Sequence, residues 1–448
     1  MKRDAMKRLV DWKSLGRRKP MIIYGLRQTG KTWLAEEFGK NHFDSMVTIN
    51  MEDRRFHDAF RNTTDPDAIL KILSVITDRD IDGSTLIFLD EIQECPEALA
   101  SLKYFYEKRP DAFIMAAGSL LGVTNAQGRK FPVGKVDGMT LRPMNFTEFL
   151  TALGNERTAD AIRNYDTEII DSASTDIKRS LREYMLVGGM PEAVLTFIET
   201  GDVREVRKVQ EMLLHQYRSD ISNHPPKSII PYMRSVWDSI PDQLSKETGR
   251  KFVYSLMKSK GGAAVYMPAI MWLCDYGLLT MVPKISKPGN PLSAYSDRRS
   301  FKLFAADIGL ICAKSGLDPR AVVEGDRMFI EFRGALTEQF ALQELIAADH
   351  RPYYWSAENS DGEIDLMTES DGKAIPIEVR SSENLKAKSL SAFRKKYDVE
   401  TSVRTSLSGS RDEGWMVNIP LCAIGSLDRV LRERKGGVPG PHGPSGGE

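Results

Sequence analysis

The stretch GLRQTGKT runs from Gly25 to Thr32, directly behind the apolar run MIIY. Gly25 and Gly30 bracket a loop whose amides can turn inward, because glycine tolerates the backbone conformations that a tight anion cradle demands. Arg27, Gln28 and Thr29 lie between them and would offer their amides to phosphate oxygens. Lys31 would bring a point charge to the β- and γ-phosphates, and Thr32 would place a hydroxyl on Mg²⁺. A helix opening at Lys31 would direct its positive end to the same spot. The pattern Gly-x-x-x-x-Gly-Lys-Thr is matched without a departure, with a strand before it and a helix after it.

About sixty residues later, LIFLDEIQ reads as an apolar strand ending in Asp90 and Glu91. Asp90 would hold Mg²⁺ largely through water, since this ion dehydrates reluctantly. Glu91 would orient and polarise an attacking water. A further strand, AFIMAAGS, ends in Ser119. If that strand lies between the other two, Ser119 stands where a polar group can sense a γ-phosphate, although serine at a strand end is equally an ordinary helix cap. Arg142, at the end of a fifth short strand, is a candidate to stabilise developing charge in cis or across a subunit interface, and Arg27 is another. Neither G-x-G-x-x-G nor N-K-x-D occurs here, so ATP is expected rather than a dinucleotide or GTP. Together these residues imply Mg²⁺-dependent ATP hydrolysis.

Positioning them requires strands that end at one edge of a sheet. Over residues 1–150, the runs MIIYG, MVTINM, TLIFLD, AFIMAAG and DGMTLRP alternate with helical stretches, which predicts a parallel α/β sheet covered on both faces. Residues 151–235 read as helices, broken at VGGMP and HPPK. Residues 236–318 read as helix, strand, Pro/Gly turn and strand, a winged-helix-like module. Residues 319–432 return to α/β, and the Gly/Pro-rich tail 433–448 is expected to be disordered.

The chain has 448 residues, with 62 basic and 62 acidic side chains, so no global field draws it to nucleic acid. Cys95, Cys274, Cys312 and Cys422 are scattered, which argues against a zinc site or a disulfide framework. The N-terminus lacks the apolar core of a signal peptide and no apolar run reaches spanning length, so a cytoplasmic protein is expected.

In order along the chain stand GLRQTGKT, IFLDEIQ, AAGSLL, TLRPMNFTEFL, YMLVGGMPEAV and GEIDLM followed by PIEVRS. This series resembles a prokaryotic family of AAA-type ATP-binding proteins over about residues 10–430. Its C-terminal region, a domain of unknown function, is similar to the PD-(D/E)xK nuclease fold. The resemblance implies an AAA-type P-loop core, helical and winged-helix parts, and a nuclease-like α/β end. It also implies a second site, in which Asp365, Glu378 and the helix residue Glu338 would hold a divalent metal. The family pattern ends Glu-Val-Lys; this chain has Glu378-Val379-Arg380, and arginine cannot serve as a base. Arg380 could still hold a phosphate or stabilise charge on it.

Two basic groups would suit DNA: Arg298, Arg299 and Lys302 on the expected wing, and Lys386, Lys388, Arg394, Lys395 and Lys396 after the nuclease-like strands. The expected partners are therefore ATP with Mg²⁺, then DNA or a protein; a membrane is not among them, and an oligomer is not required. The alternatives to an ATPase are an ATP-gated DNA-binding switch with little turnover and a metal-dependent nuclease.

Overall fold

The computed structural model describes residues 1–119, 132–223, 225–245, 251–257, 262–318, 327–357, 362–381 and 387–435. Lys386 and most of the 433–448 tail lie outside the described residues. The chain divides into two units. The first comprises Met1–Met144 with Met190–Glu192 and Met267–Leu279; the second comprises Asn145–Gly189, Ala193–Tyr266 and Thr280–Glu448.

In the first unit, strands β1 (Met21–Tyr24), β2 (Ser45–Asn50), β3 (Thr85–Asp90), β4 (Phe113–Gly118) and β5 (Asp137–Thr140) form a sheet of order β2-β3-β4-β1-β5. Every pairing is parallel. Strand β4 therefore lies between β1 and β3, which puts the ends carrying Gly25, Ser119 and Asp90 side by side. Helices α1 (Ala5–Ser14), α2 (Lys31–His42), α3 (Asp58–Arg61), α4 (Pro66–Thr77) and α5 (Pro96–Lys108) flank the sheet. Successive strand residues point to opposite faces. Ile22, Ile87, Leu89 and Ala116 pack with Ile69, Leu73, Leu102 and Phe105 on one face. Ile23, Leu86, Phe88 and Met115 pack with Leu9, Trp12, Leu34 and Phe38 on the other. Both faces being covered, the strands are continuously apolar rather than alternating. Pro66 and Pro96 open α4 and α5, where the missing N–H costs nothing.

The second unit holds helices α6 (Phe146–Ala152), α7 (Glu156–Asn164), α8 (Thr167–Ser172), α9 (Ser174–Val187), α10 (Pro191–Thr200), α11 (Val203–Asn223), α12 (Ile230–Ser245), α13 (Ala263–Asp275), α14 (Ile308–Lys314), α15 (Arg327–Ala347), α16 (Lys388–Tyr397) and α17 (Leu427–Lys435), of which α10 and α13 cross the division. Its strands are β6 (Leu279–Ile285), β7 (Ser296–Ala305), β8 (Tyr353–Ser356), β9 (Glu363–Ser370), β10 (Lys373–Val379), β11 (Ser402–Ser406), β12 (Arg411–Asp412) and β13 (Met416–Pro420). They form one sheet of order β12-β13-β11-β10-β9-β8-β6-β7. The β6 and β7 strands expected as a wing thus share a sheet with the strands after residue 319, β6 running parallel to β8 at Lys284 and Tyr354.

Two motifs of the series turn out to be local architecture. In MNFTEF, Asn145 Oδ1 accepts from Glu148 N at 2.8 Å and Glu148 Oε2 accepts from Asn145 N at 3.1 Å, a capping box that starts α6. In VGGMP, Gly188 has φ +73°, and a Cβ there would overlap the Asp307 carboxylate. Asp307 is fully buried; it accepts from Gly189 N at 2.6 Å and from Leu310 N at 3.0 Å, capping α14. Burial pushes its carboxyl up to about 6 against those N–H donors. Among the described residues no helix is long and apolar enough to cross a membrane, and no disulfide joins the cysteines.

Candidate functional site

The phosphate loop of the first unit is held by its carbonyls. Arg3, buried beside α1, donates from Nη1 to Thr29 O at 2.9 Å and from Nη2 to Arg142 O at 2.6 Å. Lys31 Nζ donates to Gly25 O at 3.1 Å and Leu26 O at 3.0 Å, and Thr29 Oγ1 donates to Leu26 O at 2.8 Å. Gly25 and Gly30 have φ +151° and +88°, and Gln28 is also left-handed at +66°. A Cβ on Gly25 would overlap Leu141 O, so only glycine lets β1 turn away this close to the end of β5. Burial lowers the Lys31 pKa, with Glu91 and Asp90 opposing the shift.

Asp90 ends β3 and meets the loop. Thr32 Oγ1 donates to Asp90 Oδ2 at 2.7 Å across a separation of 58 residues. Desolvation raises the Asp90 pKa, and the Thr32 bond works against it. Glu91 takes a left-handed backbone, φ 47°. Its Oε2 accepts from Gln93 Nε2 at 2.6 Å and, weakly, from Ser119 Oγ at 3.5 Å. A hydroxyl and a carboxylate in contact are hard oxygen donors that suit Mg²⁺, and an ammonium beside a glycine loop suits phosphate. Among the described residues, no group of three or more His, Cys, Asp or Glu side chains could hold a metal alone. Nucleotide-bound Mg²⁺ needs none, because phosphate and water complete its shell.

Arg27 and Arg142 are exposed, Arg27 within the loop and Arg142 beyond β5. The sequence reading gave no part to four residues found here. Gln93 lies inside the quoted DEIQ, so its spacing from Glu91 was a usable signal. Arg3, Pro191 and Gly277 were not findable locally. A Cβ at Gly30 would stand 3.6 Å from Pro191 Cγ, and one at Gly277 would stand 3.8 Å from Leu26 N.

In the second unit, the register that sets Ile377 opposite Leu366 brings Asp365 alongside Glu378 and Val379. Asp365 Oδ2 accepts from Val379 N at 2.8 Å. Glu378 Oε1 is paired with Arg380, and Arg404 lies opposite Glu378 on β11. Glu378 Oε2 is buried with no hydrogen-bond partner among the described residues, and burial pushes this carboxyl up. Glu338 reaches the cluster from α15, where Lys302 Nζ contacts its Oε1 at 2.9 Å and Glu363 Oε1 at 2.6 Å. Lys302 is 1% exposed, which corrects the expectation that it contacts DNA from a wing. It lies in the segment FKLFA, where β7 is buried on both faces, whereas Arg298 and Arg299 are exposed as expected. Lys388, Arg394, Lys395 and Lys396 are exposed on α16.

Comparison with known proteins gives the same coarse outline. Residues 17–150 match a family model described as an AAA domain. Residues 178–321 and 333–422 match two models, each described as a domain of unknown function (DUF8612 and DUF4143). No curated protein matches by sequence. Among solved structures, the Walker-type ATPase PABY2304 of Pyrococcus abyssi is 13% identical, with 70% of this chain and 95% of that one covered and a TM-score of 0.43. The Aeropyrum pernix ORC1 protein in complex with DNA is 12% identical, with 70% and 91% covered and a TM-score of 0.27. PCH-2 of C. elegans is 17% identical, with 33% and 41% covered and a TM-score of 0.21. All three are weak likenesses. The chain carries an AAA-type core followed by regions of unknown function, and none of these comparisons gives its C-terminal α/β region a nuclease fold.

Proposed function

We propose that the protein is a Mg²⁺-dependent ATPase that couples hydrolysis to movement of DNA- or protein-binding C-terminal modules, namely the helical segment 151–235, the winged-helix-like segment 236–318 and the α/β region 319–432. The observation that carries this reading is the 2.7 Å contact between Thr32 and Asp90, which joins the two phosphate motifs. The loop amides of residues 25–32 and the Lys31 ammonium hold the phosphates. Thr32 and Asp90 hold the metal, which when bound neutralises charge on the phosphate oxygens. Glu91, oriented by Gln93 and Ser119, accepts a hydrogen bond from the attacking water and so aims it. Arg27 and Arg142 are the candidates to meet charge that develops in the transition state.

The test is a pair of variants. Lys31→Ala should lose nucleotide binding. Glu91→Gln should keep ATP affinity and lose about two to three orders of magnitude in turnover, the scale of a positioned base. Wild-type turnover in Glu91→Gln would remove Glu91 from the mechanism.

A second reading, an ATP-gated DNA switch with slow turnover, draws on the exposed Arg394, Lys395 and Lys396 of α16. DNA affinity that falls steeply with salt and changes on ATP addition would support it; no salt dependence would count against it.

A further inference from the structure

The acids of the C-terminal hairpin resemble a divalent-metal site, and the residues around them do not fit a metal. Mg²⁺ or Mn²⁺ held by carboxylates keeps several waters and needs a path for them. Lys302 and Glu338 are each 1% exposed. Their side chains meet inside the sheet–helix layer, so a hydrated ion on Glu338 would have to shed its water.

One side-chain oxygen of each of the four acids is also already engaged. Lys302 Nζ has three acceptors: Glu338 Oε1 at 2.9 Å, Glu363 Oε1 at 2.6 Å and Asp365 O at 3.4 Å. An ammonium has three hydrogens to give, so this complement is complete. The ring of Tyr354 lies beneath the same nitrogen, 4.9 Å from its centroid. Asp365 Oδ2 accepts the Val379 N–H, and Glu378 Oε1 is bound by Arg380. Four acids, Glu338, Glu363, Asp365 and Glu378, thus face three cations of the chain, Lys302, Arg380 and Arg404.

We propose that Lys302 is a built-in counter-cation: its ammonium takes the place of a divalent metal in this carboxylate cluster, and the C-terminal module acts without metal-dependent phosphodiester cleavage. The buried Glu378 Oε2, which has no hydrogen-bond partner among the described residues, does not reverse this, because the other oxygen of the same carboxylate is paired with Arg380.

Mn²⁺ binding to nucleotide-free, full-length protein tests the proposal, read by the loss of free Mn²⁺ signal in electron paramagnetic resonance. An Asp90→Asn background removes the nucleotide site's metal ligand. With Lys302 intact, no saturable Mn²⁺ binding is expected. Lys302→Ala should bind one equivalent and melt at a higher temperature when Mn²⁺ is present. Stoichiometric binding with Lys302 intact that disappears in Glu378→Gln would overturn the proposal, as would a folded Lys302→Ala that binds no Mn²⁺. Should Lys302→Ala fail to fold, the double variant Lys302→Met/Glu338→Gln decides. Recovery of a cooperative melt close to wild type supports the charge-balancing role, and a melt no better than Lys302→Met alone rejects it.

Discussion

The charged groups at the phosphate loop and those in the C-terminal sheet use opposite partners. At the phosphate loop, three charged groups are held by neutral ones: Lys31 by the carbonyls of Gly25 and Leu26, Asp90 by the Thr32 hydroxyl, and Glu91 by the Gln93 amide. In the C-terminal sheet, charges hold each other: Lys302 with Glu338 and Glu363, and Glu378 with Arg380. A charge held by neutral dipoles keeps its field for a ligand and bears a desolvation cost while it waits. A charge held by its opposite is spent on the fold. The contrast separates a site poised for chemistry from one that has become structure.

The largest test of this contrast compares two lysines. Lys302→Met should destabilise the second unit by about 3–5 kcal/mol, because buried acids lose their cation. Lys31→Met should change the stability of nucleotide-free protein by less than about 1 kcal/mol, or raise it, because a partly desolvated charge is removed. Denaturant unfolding of both variants measures this, and equal losses would erase the distinction.

Asp307 sharpens the comparison from the other side, as a buried acid held only by neutral donors. Its folded-state pKa, about 6, lies above the unfolded value. The folded state therefore binds the extra proton between pH 4 and 6. Stability from this group is fully present below about pH 4 and is lost as pH rises through 6, by about 3 kcal/mol in all. The difference in unfolding free energy between wild type and Asp307→Asn should fall by that amount from pH 4 to pH 7. A flat difference would mean that the N–H donors fully offset burial.

The smallest effect belongs to Gln93. Gln93→Ala removes one hydrogen bond to the Glu91 carboxylate and should lower kcat about tenfold, with ATP affinity kept. Gln93→Glu, which sets a like charge against Glu91, should lower it further. Unchanged steady-state rates would show that Glu91 is oriented by other means.

What could be read from the sequence follows the range of the interactions. The loop, the Asp90–Glu91 strand end and the five strands of the first sheet are set by local spacing, and the structure has strands at all five stretches. The inserted position of β4 was the one non-local premise placed on Ser119, and the strand order supplies it. Lys302 reads as a surface charge because the basic residues three and four positions earlier on the same strand, Arg299 and Arg298, suggest a charged surface. The cue was FKLFA, where apolar residues on both sides of a lysine point to a strand covered on both faces. Arg3 had no cue at all: its acceptors are backbone carbonyls 26 and 139 residues away, and a carbonyl leaves no mark in sequence.

Arg3 also bears on the thermodynamics of the loop. With Thr29, Leu26 and Gly25 tied through their oxygens, the loop has little conformational freedom left to surrender when an anion docks on its amides. Nucleotide association should therefore register in calorimetry as enthalpy with a small entropic penalty, and Arg3→Ala should enlarge that penalty while the amide contacts stay the same.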